Sequence, residues 1–225
     1  MNKRVLSLTL LLVCFSLVMQ AEGRIVEPFN SGWVFKKAPA GKELAVNAPK
    51  WESGWTEVEI PHTWNAKDMQ TQYDQFYEGP AYYKKHYFFP AELKDKRVFL
   101  RFEGVGAVAE VYVNGSLVTT HKGAYSAFSC EIGTALKPGA DNEIIVKARP
   151  DVIPINHVLF GVYGGMYRPV WLIVTEPYNI CVTDCASSGV YITQKNVSKK
   201  QADVKVKVKL DNGTLQPAPL SCGSS

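Results

Sequence analysis

"AVAEVYVNGSLVTTHKGAYSAF", Ala107 to Phe128, is the stretch on which the fold turns. In its first part Ala107, Ala109, Val111 and Val113 alternate with Val108, Glu110 and Tyr112. A period of two sends one set to a buried sheet face and the other toward solvent, the signature of a half-buried strand. Asn114-Gly115 follows, and that dipeptide accepts the positive φ angles of a type I′ turn. "SLVTTH" then returns as the partner strand, and "KGAYSAF" reads as a loop leading to the next one. The stretch predicts a hairpin.

Working outward, further strands are expected at "YYKKHYFF" (Tyr82 to Phe89), "RVFLRF" (Arg97 to Phe102), "NEIIVKA" (Asn142 to Ala148) and "YRPVWLIV" (Tyr167 to Val174). Short strands separated by Gly, Pro and Asn turns point to an antiparallel sandwich. No long helical pattern competes after the N-terminal segment, and Ala135-Leu136-Lys137 before Pro138-Gly139 is only a turn. The class is all-β. A boundary falls near Glu176-Pro177, beyond which "GVYITQ" and "ADVKVKVKL" read as strands of a new unit. In the second, Val204, Val206, Val208 and Leu210 face one way and the lysines the other, with Asp211-Asn212-Gly213 as the turn. About 45 residues follow the boundary, against about 100 for an immunoglobulin-like sandwich. This second unit is expected to be incomplete, with an exposed apolar face.

At the N-terminus, Asn2, Lys3 and Arg4 precede an apolar run from Val5 to Met19, and Ala21-Glu22-Gly23 offers a small-x-small cleavage site. The run, about 15 residues, is short of the roughly 20 that span a bilayer, so it reads as a secretory signal peptide over residues 1–23. Export to the periplasm or the extracellular space is expected, with no membrane attachment after cleavage. Cys14 does not make a lipoprotein site, because Val13 before it is too large. The formal charge of +4 is too small and too evenly spread to suggest nucleic acid. Four cysteines remain after cleavage: Cys130, Cys181, Cys185 and Cys222. Cys181 and Cys185 are close enough in sequence to be disulfide candidates, but four cysteines allow three pairings and the sequence does not choose. Cys181-x-x-x-Cys185 lacks a second pair or nearby histidines for zinc. Asn114, Asn196 and Asn212 stand in glycosylation sequons, which matter only in a eukaryotic secretory route.

Several chemistries drop out. His62, His86, His121 and His157 are far apart and lack metal-ligand spacing. Gly104-x-Gly106 has no following helix and so is no phosphate cradle. No serine sits in a nucleophile-elbow context, and no carboxylate pair is placed by sequence for acid–base work. Four short patterns remain: "WTEVEIPHTWN" (Trp55 to Asn65), "YEGPAYYKKHYFFP" (Tyr77 to Pro90), "RVFLRFEGVGAVAEVYVNGSLVTTHKGAYSAF" (Arg97 to Phe128) and "YGGMYRPVWLIVTEP" (Tyr163 to Pro177). Their order and spacing resemble the N-terminal sugar-binding domain of glycoside hydrolase family 2, the family of β-galactosidases and β-glucuronidases. The resemblance covers about Phe29 to Pro177, and "SSGVYITQKNVS" is similar to the start of the family's immunoglobulin-like second domain.

The resemblance implies a jelly-roll β-sandwich of the galactose-binding-domain-like group over residues 24–178, followed over 179–225 by a truncated immunoglobulin-like sandwich. Much of the motif set then reads as structural: Pro61 sets a stiff turn, Trp64 buries its ring beneath a loop, Gly164 and Gly165 allow a tight bend. Arg168 is expected to tie that bend to a neighbouring loop through its planar donors. Sugar contact in the family comes from loops, with an acidic residue often four positions before the tyrosine of the "YGG" turn. Carboxylates suit that task because they accept paired hydrogen bonds from adjacent hydroxyls. Here the position is Leu159. The candidate sugar contacts are therefore Asn156 and His157 close by, and Tyr73 and Asp74 in the loop Gln72-Tyr73-Asp74-Gln75. Tyr73 offers a ring for stacking and Asp74 an acceptor.

The family resemblance also implies retaining hydrolysis by two glutamates on a (β/α)₈ barrel. Their carboxyl groups lie about 5–5.5 Å apart, and such a barrel needs about 250 residues. No residue of this chain is assigned as catalytic, and no cofactor or metal is called for. The expected function is the non-catalytic N-terminal portion of an exported β-glycosidase, with a β-linked glycan as partner. A free-standing carbohydrate-binding module and a scaffold piece that completes another chain stand as the alternatives.

Overall fold

The computed structural model describes residues 23–38, 43, 45–46, 53–66, 77, 79–150, 164–214 and 217. Ten strands form two facing antiparallel sheets. The six-stranded sheet runs, edge to edge, β3 (Thr56–Val58), β2 (Trp33–Lys37), β4 (Ala81–Phe89), β9 (Ala140–Arg149), β6 (Val108–Val113) and β7 (Ser116–Lys122). The four-stranded sheet runs β1 (Ile25–Pro28), β10 (Val170–Thr175), β5 (Arg97–Phe102) and β8 (Phe128–Glu131). Among the described residues no helix is long and apolar enough to cross a membrane. This is the all-β jelly-roll sandwich that the sequence predicts.

The hairpin of the opening stretch is β6–β7. Asn114 and Gly115 take φ of 50° and 80°, as a type I′ turn requires, and Val113 faces Ser116 across it. Asn114 is also a fastener. Its Nδ2 donates to the carbonyl of Ala135 at 2.9 Å and to Asn142 Oδ1 at 2.8 Å, while its Oδ1 accepts from the Glu143 amide at 3.2 Å. Ala109, Val111 and Val113 enter the core as the alternation predicts. They meet Tyr83, Ile144 and Val146 of their own sheet, and Val98, Leu100, Phe102, Val170 and Leu172 of the other. Phe102 stacks on Phe128 at 4.7 Å and His121 stacks on Phe128 at 4.2 Å, an arrangement that contributes about 0.5–1.5 kcal/mol per pair beyond area burial.

The outer face of the four-stranded sheet is also partly covered: Phe99 and Ile173 cluster with Val182, against Trp171. Val182 belongs to the C-terminal segment, whose strands are β11 (Tyr178–Ile180), β12 (Val190–Lys195), β13 (Asp203–Val208) and β14 (Leu210–Asn212). β11 pairs with β14 and β12 with β13, as two separate two-stranded sheets. Arg97 reaches from β5 to this segment. Its Nε and Nη2 hold Glu131 at 2.9 and 2.7 Å, and its Nη1 lies 3.7 Å from Asp211. Glu131 beside it holds the guanidinium above its ordinary value.

Three local expectations are corrected. The strand expected from Tyr167 begins only at Val170, because Gly165 takes φ +114° and Pro169 spends its carbonyl on the Glu103 amide at 3.0 Å. "ADVKVKVKL" is not one strand: Lys209 donates to Gly189 O at 2.8 Å and accepts from the Cys181 amide at 2.9 Å, which ends β13. Leu210 to Asn212 then pair with β11, so Asp211 and Asn212 lie in a strand rather than a turn. On the cysteine pairing, which the sequence left open, Cys181 and Cys185 are not joined. Cys181 is buried, Cys185 sits exposed at φ 51°, and both are free thiols, as is buried Cys130.

Candidate functional site

The four candidate sugar contacts, Tyr73, Asp74, Asn156 and His157, lie outside the described residues, as does Leu159. What the structure places are the feet of the two loops that carry them. One loop leaves after Ala66 and returns at Tyr77; the other leaves after Pro150 and returns at Gly164. All four feet gather at one end of the six-stranded sheet, where β2 finishes, β4 begins and β9 ends, since Lys37 faces Ala81 and Ala81 faces Ala148.

Asn65 joins the two loops. Its Oδ1 accepts the Gly164 amide at 2.8 Å, across 99 residues of sequence, and its Nδ2 lies 3.5 Å from Tyr77 O. Asn65 is completely buried, so an unmade bond here would cost the full desolvation of the group. Trp64 stands next to it at 7% exposure, stacked on Phe35 at 5.8 Å and donating through Nε1 to Tyr77 O at 3.1 Å. Tyr77 in turn donates its hydroxyl to Pro80 O at 2.7 Å and lies under the Lys37 ammonium at 4.9 Å.

The bend at Gly164-Gly165 requires both glycines. A Cβ on Gly164 would lie 2.0 Å from Trp64 Cζ2, and one on Gly165 2.4 Å from the Tyr83 hydroxyl. The indole and the phenol thus pack directly on the bare backbone. Tyr83 is fully buried, its hydroxyl 2.8 Å from His62 Nδ1 and 3.3 Å from His62 O. Burial pushes its hydroxyl far above the ordinary tyrosine range. Burial, with Lys37 second, pulls His62 below its ordinary value of 6.5. His62 is a neutral packing group against Phe35 at 4.8 Å. At the other foot, Arg149 pairs with Glu43 at 2.9 Å and Lys147 with Glu43 and Glu110 at 3.2 and 3.3 Å. The expected tie from Arg168 is made by its neighbour. The Tyr167 hydroxyl donates to Ala124 O, while the Arg168 guanidinium lies 5.7 Å over the Tyr167 ring.

The arrangement bonds together the residues that flank 67–76 and 151–163. Asn65, Tyr77 and Tyr83 stand inside the quoted motifs, yet the sequence assigns them no role, because their partners are distant in the chain. Pro61, Trp64, Gly164 and Gly165 act as the sequence reading expects, and Ile60–Pro61 is a cis peptide bond. Elsewhere a cleft of about 350 Å³ opens on the β2–β3 edge, lined by Gly32, Trp33, Val34, Glu57, Val58 and Glu59.

Residues 56–157 match the glycosyl hydrolase 2 galactose-binding domain-like family. A β-glucuronidase of Bacteroides fragilis is 35% identical over 211 residues, covering 92% of this chain and 29% of that protein. The crystal structure of a Bacteroides fragilis protein provisionally described as a β-galactosidase shares 69% identity and superposes with a TM-score of 0.81, over 87% of this chain and 30% of that one. A Bacteroides uniformis β-glucuronidase structure shares 30% identity with a TM-score of 0.76, over 84% of this chain and 22% of its own. The chain thus spans less than a third of the length of these relatives, and in that span it belongs, through its galactose-binding-like sandwich, to glycoside hydrolase family 2.

Proposed function

We propose that this chain is the sugar-facing, non-catalytic portion of an exported retaining β-glycosidase, acting on β-linked galactosides or glucuronides. The observation that carries the reading is the Asn65–Gly164 bond, which ties together residues flanking the two stretches, 67–76 and 151–163, to which Tyr73, Asp74, Asn156 and His157 belong in the sequence. The relatives named above, β-glucuronidases and a β-galactosidase, supply the substrate class. In this role the sandwich orients a glycan, and the two carboxyl groups that break the bond belong to a barrel of about 250 residues supplied elsewhere in the polypeptide. Residues 1–23 act as a secretory signal, and residues 179–225 are the opening part of an immunoglobulin-like unit.

The test is a pair of measurements on residues 24–225. Aryl β-galactosides and β-glucuronides are expected to show no turnover. Titration with β-galactosyl and β-glucuronosyl oligosaccharides is expected to move backbone NMR signals of Asn65, Tyr77 and Gly164 ahead of those in β13. Turnover in a clean preparation, or signal changes confined to residues far from the loop feet, overturns the assignment. N-terminal sequencing of the mature protein, expected to start near Gly23 or Arg24, tests export.

A further inference from the structure

The cleft of about 350 Å³ on the β2–β3 edge opens where β2 begins, lined by Gly32, Trp33, Val34, Glu57, Val58 and Glu59. The loop feet gather at the other end of that strand, where Lys37 faces Ala81. Val34 faces Glu57 on one side and Lys84 on the other, and residues paired in this way share a sheet face. That face is the outer one, since the residues between them, Phe35, Val58 and Tyr83, pack into the core. Glu57 and Glu59 are exposed while Ile60 is buried, so the alternation sets both carboxylates on the cleft side.

Two features of the cleft point to its ligand. Among the described residues neither glutamate makes a hydrogen bond or an ion pair; Lys85, which feels the charge of Glu59, donates to Ser31 O. Carboxylates left open in this way accept paired hydrogen bonds from adjacent hydroxyls. Beside them lies an indole. Trp55 precedes Glu57 by two residues and packs, partly buried, against Ala38, Tyr82 and Ile145. The Lys84 ammonium lies 4.7 Å from its ring centre and that of Lys36 5.8 Å. An aromatic ring beside polar groups that converge on a cleft of this size suits a pyranose, whose C–H face lies on the ring while its hydroxyls meet the charges. The charges also select the sugar. A uronate would set its carboxylate against Glu57 and Glu59, and an amino sugar on Trp55 would meet Lys36 and Lys84. A neutral hexose meets neither penalty.

We propose that the β2–β3 cleft is a second glycan-binding site, separate from the loop end, and that it takes a neutral β-linked hexose chain. One ring of the chain stacks on Trp55. The next lays its hydroxyls against Glu57 and Glu59, above Gly32 and Val34. The site does not depend on the role proposed for the loop end, and it gives the protein a hold on a long glycan at a second point.

The probes are a β-linked galactose tetrasaccharide and a β-linked glucose tetrasaccharide, each compared with the same chain carrying uronate in place of hexose, titrated into the full chain by calorimetry and backbone NMR. At low salt at least one neutral tetrasaccharide is expected to bind about tenfold more tightly than its uronate form, the gap narrowing as salt screens the charges. Amide signals of Val34, Glu57 and Glu59 are expected to move. The Glu57→Gln/Glu59→Gln variant, altered only at exposed positions, is expected to close the gap, and Trp55→Ala to remove binding at the cleft. Absent binding, an unchanged preference in the glutamine variant, or cleft signals that still move in Trp55→Ala overturn the proposal. So do signal changes confined to Asn65, Tyr77 and Gly164, which would leave the reading of the loop end standing.

Discussion

Replacing Gly164 with alanine adds one methyl group, and the structure says where it goes: 2.0 Å from Trp64 Cζ2 and 2.2 Å from Cε2. Neither partner has an easy retreat. The indole is stacked on Phe35 and hydrogen-bonded to Tyr77, while the Gly164 amide is held by Asn65. A tryptophan side chain buries roughly 150–250 Å², worth on the order of 4–6 kcal/mol at about 25 cal/mol per Å², which is the ceiling for complete expulsion. Overpacking with partial relaxation costs about 1–3 kcal/mol, and a strained Trp64–Tyr77 bond adds about 1 kcal/mol. The expected loss is therefore about 2–4 kcal/mol, read from urea unfolding followed by tryptophan fluorescence, with a changed near-ultraviolet dichroism of the native state. Gly139→Ala is the control. That site takes φ +67°, and an added Cβ there would make only an ordinary van der Waals contact with Ala91 Cβ at 3.5 Å, so it costs about 1–2 kcal/mol of backbone strain alone and leaves the tryptophan signal untouched. A Gly164→Ala protein within about 1 kcal/mol of the wild type, with native dichroism, would refute the packing argument.

Three other outcomes are expected. Asn142, fully buried, donates to the carbonyls of Ala140 and Lys137 and accepts from Asn114 and from the Lys137 amide; Asn142→Ala should cost about 2–4 kcal/mol by urea unfolding, as several buried groups lose partners together. His62 has a folded value below its ordinary 6.5, so the unfolded chain binds the proton first: stability is complete above about pH 6.5 and is lost as pH falls toward the folded value. His62→Gln should flatten that decline, measured as urea midpoints across the window, and an unchanged slope would count against burial as the cause. Arg97→Gln should speed amide exchange in β11 and β14 while β4 and β9 keep their protection; uniform acceleration would show that Arg97 supports the whole sandwich instead.

Much of the fold was legible because period-two alternation survives where one sheet face is buried. Val111 and Val113 could be assigned inward from the sequence alone, and Asn114-Gly115 named the turn between β6 and β7. The limits have physical causes. β1 to β3 are short and lie at or near sheet edges, so too few residues carry the pattern. At Lys209 the alternation runs on unbroken through a strand break, since the break comes from backbone bonds to Gly189 and Cys181 that no side-chain pattern reports. The loop seat was half legible. Gly164-Gly165 and Trp64 announce a tight bend and a large ring, but Asn65 meets its partner 99 residues away, and nothing local marks it.

The shared anchor at Asn65 has a consequence for how this end of the molecule can vary. Asn65 holds Gly164 and Tyr77, where the described chain resumes after 151–163 and 67–76, through bonds made between described residues. Lengthening a loop whose ends are already fixed costs little, because closure entropy grows only logarithmically with length. Insertions and substitutions between Ala66 and Tyr77, or between Pro150 and Gly164, can therefore accumulate without taxing the sandwich beneath. The anchor can therefore stay the same while the segments it holds differ.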